Sequence, residues 1–152
     1  DYNRILTFQS CSKTYAMTGW RIGYTCGDSR VIKAMTKLQG QSTSCPNSIA
    51  QFAAAQALTG DQSFVQTMRD AFKLRRDLIV RRLNAINGVS CDTPGGAFYV
   101  FPSCKGLFGK KDKKGNKITT DSEFVESLLE NNGVAVVQGS AFGLDAVGGC
   151  HA

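Results

Sequence analysis

Across residues 62–87 the apolar residues Phe64, Met68, Ala71, Phe72, Leu78, Ile79, Leu83 and Ile86 recur at steps that are mostly helical. That spacing belongs to an amphipathic helix. Its length is unusual for a compact domain, so it is expected to bridge two substructures. A fold for this chain therefore has to supply something to hold at each end of one long rod.

Before the rod, residues 4–9 (RILTFQ) read as a strand, residues 10–19 as a loop or short turn, and residues 20–26 (WRIGYTC) as a second strand. The stretch GDSRVIKAMTKLQ then opens a helix, with Asp28 or Ser29 as its cap and Val31, Ile32, Met35 and Leu38 as its apolar face. Residues 40–47 (GQSTSCPN) are a polar break, and residues 48–58 an Ala-rich helix that ends at Thr59-Gly60. After the rod, short strands are expected at 89–91 and 134–137, and an aromatic one at 96–101 (GAFYVF). Phe124, Val125, Leu128 and Leu129 mark a helix that ends near Asn131-Asn132-Gly133. Residues 1–44 thus look like the last strands and a helix of an α/β layer whose other strands are missing, because two strands make no stable sheet alone. From about residue 61 the chain looks like a small α+β unit.

At 152 residues and 42% hydrophobic content the chain suits one domain or a large piece of a bigger one. No apolar run approaches a membrane span, and Asp1-Tyr2-Asn3-Arg4 leads into a strand-like run without a secretory signal. A cytoplasmic protein with no membrane partner is expected. The six Cys form no Cys-x-x-Cys pair and His151 is the sole His, which favours scattered free thiols and no metal. The net charge of +6 raises nucleic acid as a partner, but its distribution argues otherwise. Six basic residues lie on the rod between Arg69 and Arg82, beside Asp70 and Asp77. Another cluster, GKKDKKGNK, has Gly at its start and near its end and no aromatic, which reads as a solvated hairpin tip.

Chemistry concentrates in SCSKTYAMTGWRIGY, residues 10–24. Lys13 follows a strand, between Ser12 and Thr14, at the kind of sheet edge where α/β folds bind ligands. A Lys amine attacks aldehydes when burial or a nearby cation lowers its pKa. Arg21, eight positions on, offers a planar fork suited to phosphate; Ser10 and Ser12 offer hydroxyls, and Gly19 and Gly23 let backbone approach closely. An amine to bond a cofactor and a guanidinium to hold its phosphate is one reading. An isolated loop Lys and a surface Arg are the bland one.

The wording SKTYAMTGWRIGY resembles the lysine signature of the class I, fold type I aminotransferases that use pyridoxal 5′-phosphate, most of all the bacterial aspartate aminotransferase branch with its prephenate-using members. QSTSCPNSIAQ, TPGGAFYVF and GVAVVQGSAFG are similar to later family segments, so the resemblance covers residues 1 to about 144. It implies the C-terminal part of such an enzyme: residues 1–60 from the edge of the large cofactor-binding domain, and residues 61–152 as the connecting helix and small α+β domain. It implies that Lys13 forms the cofactor aldimine and shuttles the substrate proton, that Arg21 binds the phosphate with help from Ser10 and Ser12, and that the substrates are an amino acid and a 2-oxo acid of the aspartate/2-oxoglutarate type. It further implies a homodimer for the intact enzyme. The family's partner for the pyridine nitrogen precedes this segment, and its substrate-carboxylate Arg follows Gly143, where this chain reads LDAVGGCHA. The alternative from another class is a non-catalytic remnant that binds the cofactor weakly or only associates with itself.

Bland readings stand beside several other residues. Cys150-His151 is an adjacent pair at a frayed end more than a nucleophile and base. Of Phe98, Tyr99 and Phe101, two are expected in the core and one at a cleft. Trp20 reads as packing, and Ser44 as a turn residue or a contact to a partner's site.

Overall fold

Strand β1, Thr7–Ser10, pairs antiparallel with β2, Gly23–Cys26, with Ser10 opposite Gly23 and Thr7 opposite Cys26. This is a computed structural model that describes residues 4–143 and the strand pairing of Cys150 and His151. Both strands are shorter than expected. The connection between them is not a plain loop: it holds the one-turn helix α1, Cys11–Thr14, and a 3-10 turn, Thr18–Trp20. The second strand starts late because Arg21 sits in the left-handed region at φ 50° and interrupts the extended run. Gly23 is required where the strands meet, since a Cβ there would lie 2.6 Å from the Gln9 carbonyl oxygen.

Helix α2, Ser29–Ser42, is capped by Asp28, whose carboxylate accepts from the Arg30 amide at 2.8 Å. It runs through Gly40, where a break was expected. An interior Gly costs a helix only about 1 kcal/mol. The chain turns instead at Ser44, φ 65°, ahead of the Cys45-Pro46 step, where proline keeps the preceding residue out of helical backbone. Helix α3, Ser48–Thr59, starts at Asn47, whose side chain accepts from the Ala50 amide. Ala50 and Ala54 then close a core with Cys11, Met17 and Ile22.

Helix α4, Ser63–Asn84, is the rod. The chain separates into two compact units, Asp1–Met68 and Arg69–Ala152, that divide within it. The helix stops three residues before the sequence pattern does. Asn84 turns its amide to the returning chain, donating to Cys91 O at 2.9 Å and accepting from Cys91 N at 2.8 Å. Val80, Cys91 and Val100 form the small core of this unit, with Leu83 against it.

The expected strand at 96–101 is absent. Ala97 adopts φ 60°, and the rings of Phe98 and Tyr99 lie tilted at 44° with 4.7 Å between their centres. A strand needs lateral neighbours, and β-propensity without them does not suffice. Here the return segment offers a single bridge, Ser90 to Ser103. The Lys-rich stretch does form a turn closed by a Lys111–Lys117 bridge, with Asp112 accepting from the Lys114 and Asn116 amides. Helix α5, Asp121–Asn132, begins with a reciprocal Thr120–Glu123 cap and ends at Gly133 in the left-handed region. Strand β3 is Val137–Gln138, later and shorter than expected, and pairs with β4, Cys150–His151.

Candidate functional site

The connection between β1 and β2 is tied at its base. Cys11 N donates to Ile22 O at 3.2 Å, directly beside the Ser10–Gly23 pair. Residues 10–13 and 21–23 are thereby drawn to the same end of the hairpin. The loop's apolar residues, Cys11, Met17 and Ile22, are buried against Ala50 and Ala54 of α3. Its polar residues stay out: Ser10, Lys13 and Arg21 are exposed and Ser12 is half-buried.

Each candidate has a local reason for its place. Ser10 caps α1, its Oγ accepting from the Ser12 amide at 3.1 Å. Lys13 occupies the third position of that turn, and its carbonyl accepts from Ala16 N at 3.3 Å. Arg21 curls back, Nη1 donating to Thr18 O at 2.9 Å, which leaves the other donors of its fork for an oxyanion. No Asp or Glu lies within residues 10–26, so the surroundings contributed by this segment are cationic.

Sequence reasoning missed the side chains that brace the loop. Tyr15 donates its hydroxyl to Gln62 Oε1 at 3.2 Å, and its ring lies 6.2 Å from that of Phe64. Gln62 in turn donates to Ala57 O and Gly60 O, locking the turn between α3 and α4. The one signal was the presence of Cys11, Met17 and Ile22 among the Ser, Lys, Thr and Gly of this stretch. In the second unit Asp121, 3% exposed, accepts from Ser140 N at 2.7 Å and from Ser122 N at 3.0 Å. The Ser140 amide holds this carboxyl below the ordinary Asp value, against the opposing effect of burial. From sequence it looked like any acidic residue in a helix's first turn.

Phe98, Tyr99 and Phe101 are 48%, 46% and 43% exposed, so none is core, contrary to expectation. Phe98 and Tyr99 line a half-open pocket of about 230 Å³ with Phe72, Ile79 and Pro94. Trp20 is 46% exposed rather than packed. The side chains of Cys150 and His151 lie outside the described residues. Among the described residues Cys11, Cys26, Cys45, Cys91 and Cys104 are in no disulfide, and Cys11, Cys91 and Cys104 are buried. Among the described residues no cluster of three metal-ligating side chains occurs, and no helix is long and apolar enough to cross a membrane.

Residues 1–150 match the family described as aminotransferase class I and II. The chain belongs to this aminotransferase family. It is 57% identical over 143 residues to a probable aspartate/prephenate aminotransferase of Rhizobium leguminosarum bv. phaseoli, covering 94% of this chain and 36% of that protein. It is 54% identical over 142 residues to an aspartate aminotransferase of Rhizobium meliloti (strain 1021), covering 93% and 35%. Its backbone is similar to the crystal structure of the aspartate aminotransferase from Rhizobium meliloti, with a TM-score of 0.93 at 51% identity over 99% of this chain and 37% of that one. An alanine aminotransferase from Pyrococcus furiosus follows at TM-score 0.83 and 37% identity, covering 97% and 36%. The chain thus spans little more than a third of the length of these aminotransferases, and its few strands and many helices are part of a fold type I structure.

Proposed function

We propose that this chain carries the cofactor-lysine segment and small domain of a pyridoxal-phosphate aminotransferase acting between an aspartate-type amino acid and a 2-oxo acid. In this reading it is the C-terminal part of the fold, with residues 1–60 belonging to the cofactor-binding domain and residues 61–152 to the connecting helix and small domain. The observation that carries the proposal is the tied loop, which puts Ser10, Ser12, Lys13 and Arg21 on one exposed segment braced by α3. The donor set fits the cofactor: an amine for its aldehyde, a guanidinium fork and two hydroxyls for its phosphate. When bound, the cofactor serves as an electron sink for the substrate α-carbon. Lys13 Nζ supplies the nucleophile and afterwards holds and moves the proton at that carbon. Arg21 and the serine hydroxyls hold the phosphate and so orient the ring. The substrates themselves, and a homodimeric assembly, are carried by the family likeness.

The test is to incubate the chain with pyridoxal phosphate, reduce with borohydride, digest and map the label. Lys13 is expected to be the modified lysine. Label spread evenly over Lys110, Lys111, Lys113, Lys114 and Lys117 would reject the assignment.

A further inference from the structure

The turn that carries Lys13 cannot hold itself. Helix α1 has four residues, too few for a helix to persist on its own hydrogen bonds. Its start is fixed from outside: Cys11 is fully buried, and its amide donates to Ile22 O at 3.2 Å. Beyond its end comes Ala16 at φ 53°, a left-handed backbone that a residue with a Cβ keeps only where its surroundings hold it. Tyr15 stands between the turn and that strained step. Its amide donates to Cys11 O at 3.2 Å, and its side chain reaches out of the loop. The ring lies 6.2 Å from that of Phe64, in the first turn of α4, and the hydroxyl donates to Gln62 Oε1 at 3.2 Å. Gln62 is not free to turn away. Its amide nitrogen donates to both Ala57 O, at 2.9 Å, and Gly60 O, at 2.8 Å, so its oxygen faces Tyr15.

We propose that Tyr15 is a positioning residue for Lys13: its hydroxyl bond to Gln62 fixes the C-terminal end of α1, so that the Lys13 amine is presented at one place relative to Arg21. Arg21 does not share this dependence. It is held through its neighbour Ile22, which is buried and tied to Cys11 N, and through its own bond from Nη1 to Thr18 O. The loop thus has two ends fixed separately. The guanidinium is anchored by the hairpin, and the amine by the turn between α3 and α4. Loss of the Tyr15 hydroxyl lowers the effective concentration of the amine at an aldehyde whose phosphate is already anchored, and leaves the hold on the phosphate as it was.

The inference rests on the reading of Lys13 as the cofactor lysine, and its test separates the two. Wild type and Tyr15→Phe are titrated with pyridoxal phosphate, reduced with borohydride and mapped, with the label on Lys110, Lys111, Lys113, Lys114 and Lys117 as internal standard. Both are also titrated by calorimetry with pyridoxine 5′-phosphate, which has an alcohol in place of the aldehyde. The substitution removes one oxygen and keeps the ring beside Phe64, so helical circular dichroism should not change. The pyridoxal phosphate needed for half-maximal Lys13 label is expected to rise about two- to tenfold, the span of one net hydrogen bond. Affinity for pyridoxine phosphate is expected to stay the same, which a general loosening of the loop would not allow. In a Gln62→Met background Tyr15→Phe should add nothing, because both substitutions remove the same bond. Equal Lys13 label in wild type and Tyr15→Phe, a matching loss of pyridoxine phosphate affinity, or a further loss in the double variant would each overturn the inference and leave Lys13 as the cofactor lysine. A wild type without preferential label at Lys13 would reject both together.

Discussion

Asp121 offers a direct test of how the second unit is held together. Its carboxylate accepts from the Ser140 amide at 2.7 Å, tying the start of α5 to the turn at Gly139–Phe142. Replacing it by Ala leaves that part-buried amide without its charged acceptor. A hydrogen bond to a charged group contributes about 1.5–3 kcal/mol. The Ser122 amide, adjacent in sequence, can turn to solvent and is not counted. Amide exchange at Ser140 in Asp121→Ala should therefore quicken by about ten- to a hundredfold, read by mass spectrometry on a peptide covering residues 137–142. The pH dependence has a definite sign. Because the folded pKa is depressed, the carboxylate's contribution is complete above the ordinary Asp value, about 3.9, and is lost as pH falls through the lower folded value. Protection in the wild type, corrected for intrinsic exchange, should decline only below that ordinary value, while Asp121→Asn should show no such step. Exchange in Asp121→Ala within threefold of wild type would refute the argument.

Arg21→Ala should weaken pyridoxal-phosphate binding by roughly ten- to a hundredfold and Arg21→Lys by less, since Lys keeps charge but not the fork; equal absorbance titrations for wild type and Arg21→Ala would place the phosphate elsewhere. Gly23→Ala drives a methyl to 2.6 Å from the Gln9 carbonyl; it should cost about 1–3 kcal/mol of hairpin stability, seen as tryptic cleavage after Lys13 and Arg21 at least about fivefold faster. By itself the chain is expected to show little or no turnover with aspartate and 2-oxoglutarate in a coupled assay, because residues 10–26 hold no carboxylate for a pyridinium. It should also self-associate in light scattering against concentration; a monodisperse monomer turning over near ~1 s⁻¹ would contradict both statements.

Local chemistry explains what was legible in advance. The four long helices were readable because their signals lie within a turn or two of chain: Asp28 as a cap, the Ala-rich run of α3, and the apolar steps along α4 and α5. Lys13 and Arg21 stand out as candidates for the same reason, as both residues sit on one short segment. Strands are another matter. Residues 96–101 have the composition of a strand, yet a ladder depends on neighbours that sequence does not name, and here only Ser90 meets Ser103. The left-handed turn at Arg21, the burial of Cys11, Met17 and Ile22 beneath α3, and the brace from Tyr15 to Gln62 all join residues distant in the chain or depend on such joins. Side-chain type and spacing by themselves determined which groups are the candidates for chemistry. Which face those groups turn outward was decided only by tertiary packing, because burial belongs to a pair of surfaces and not to either one.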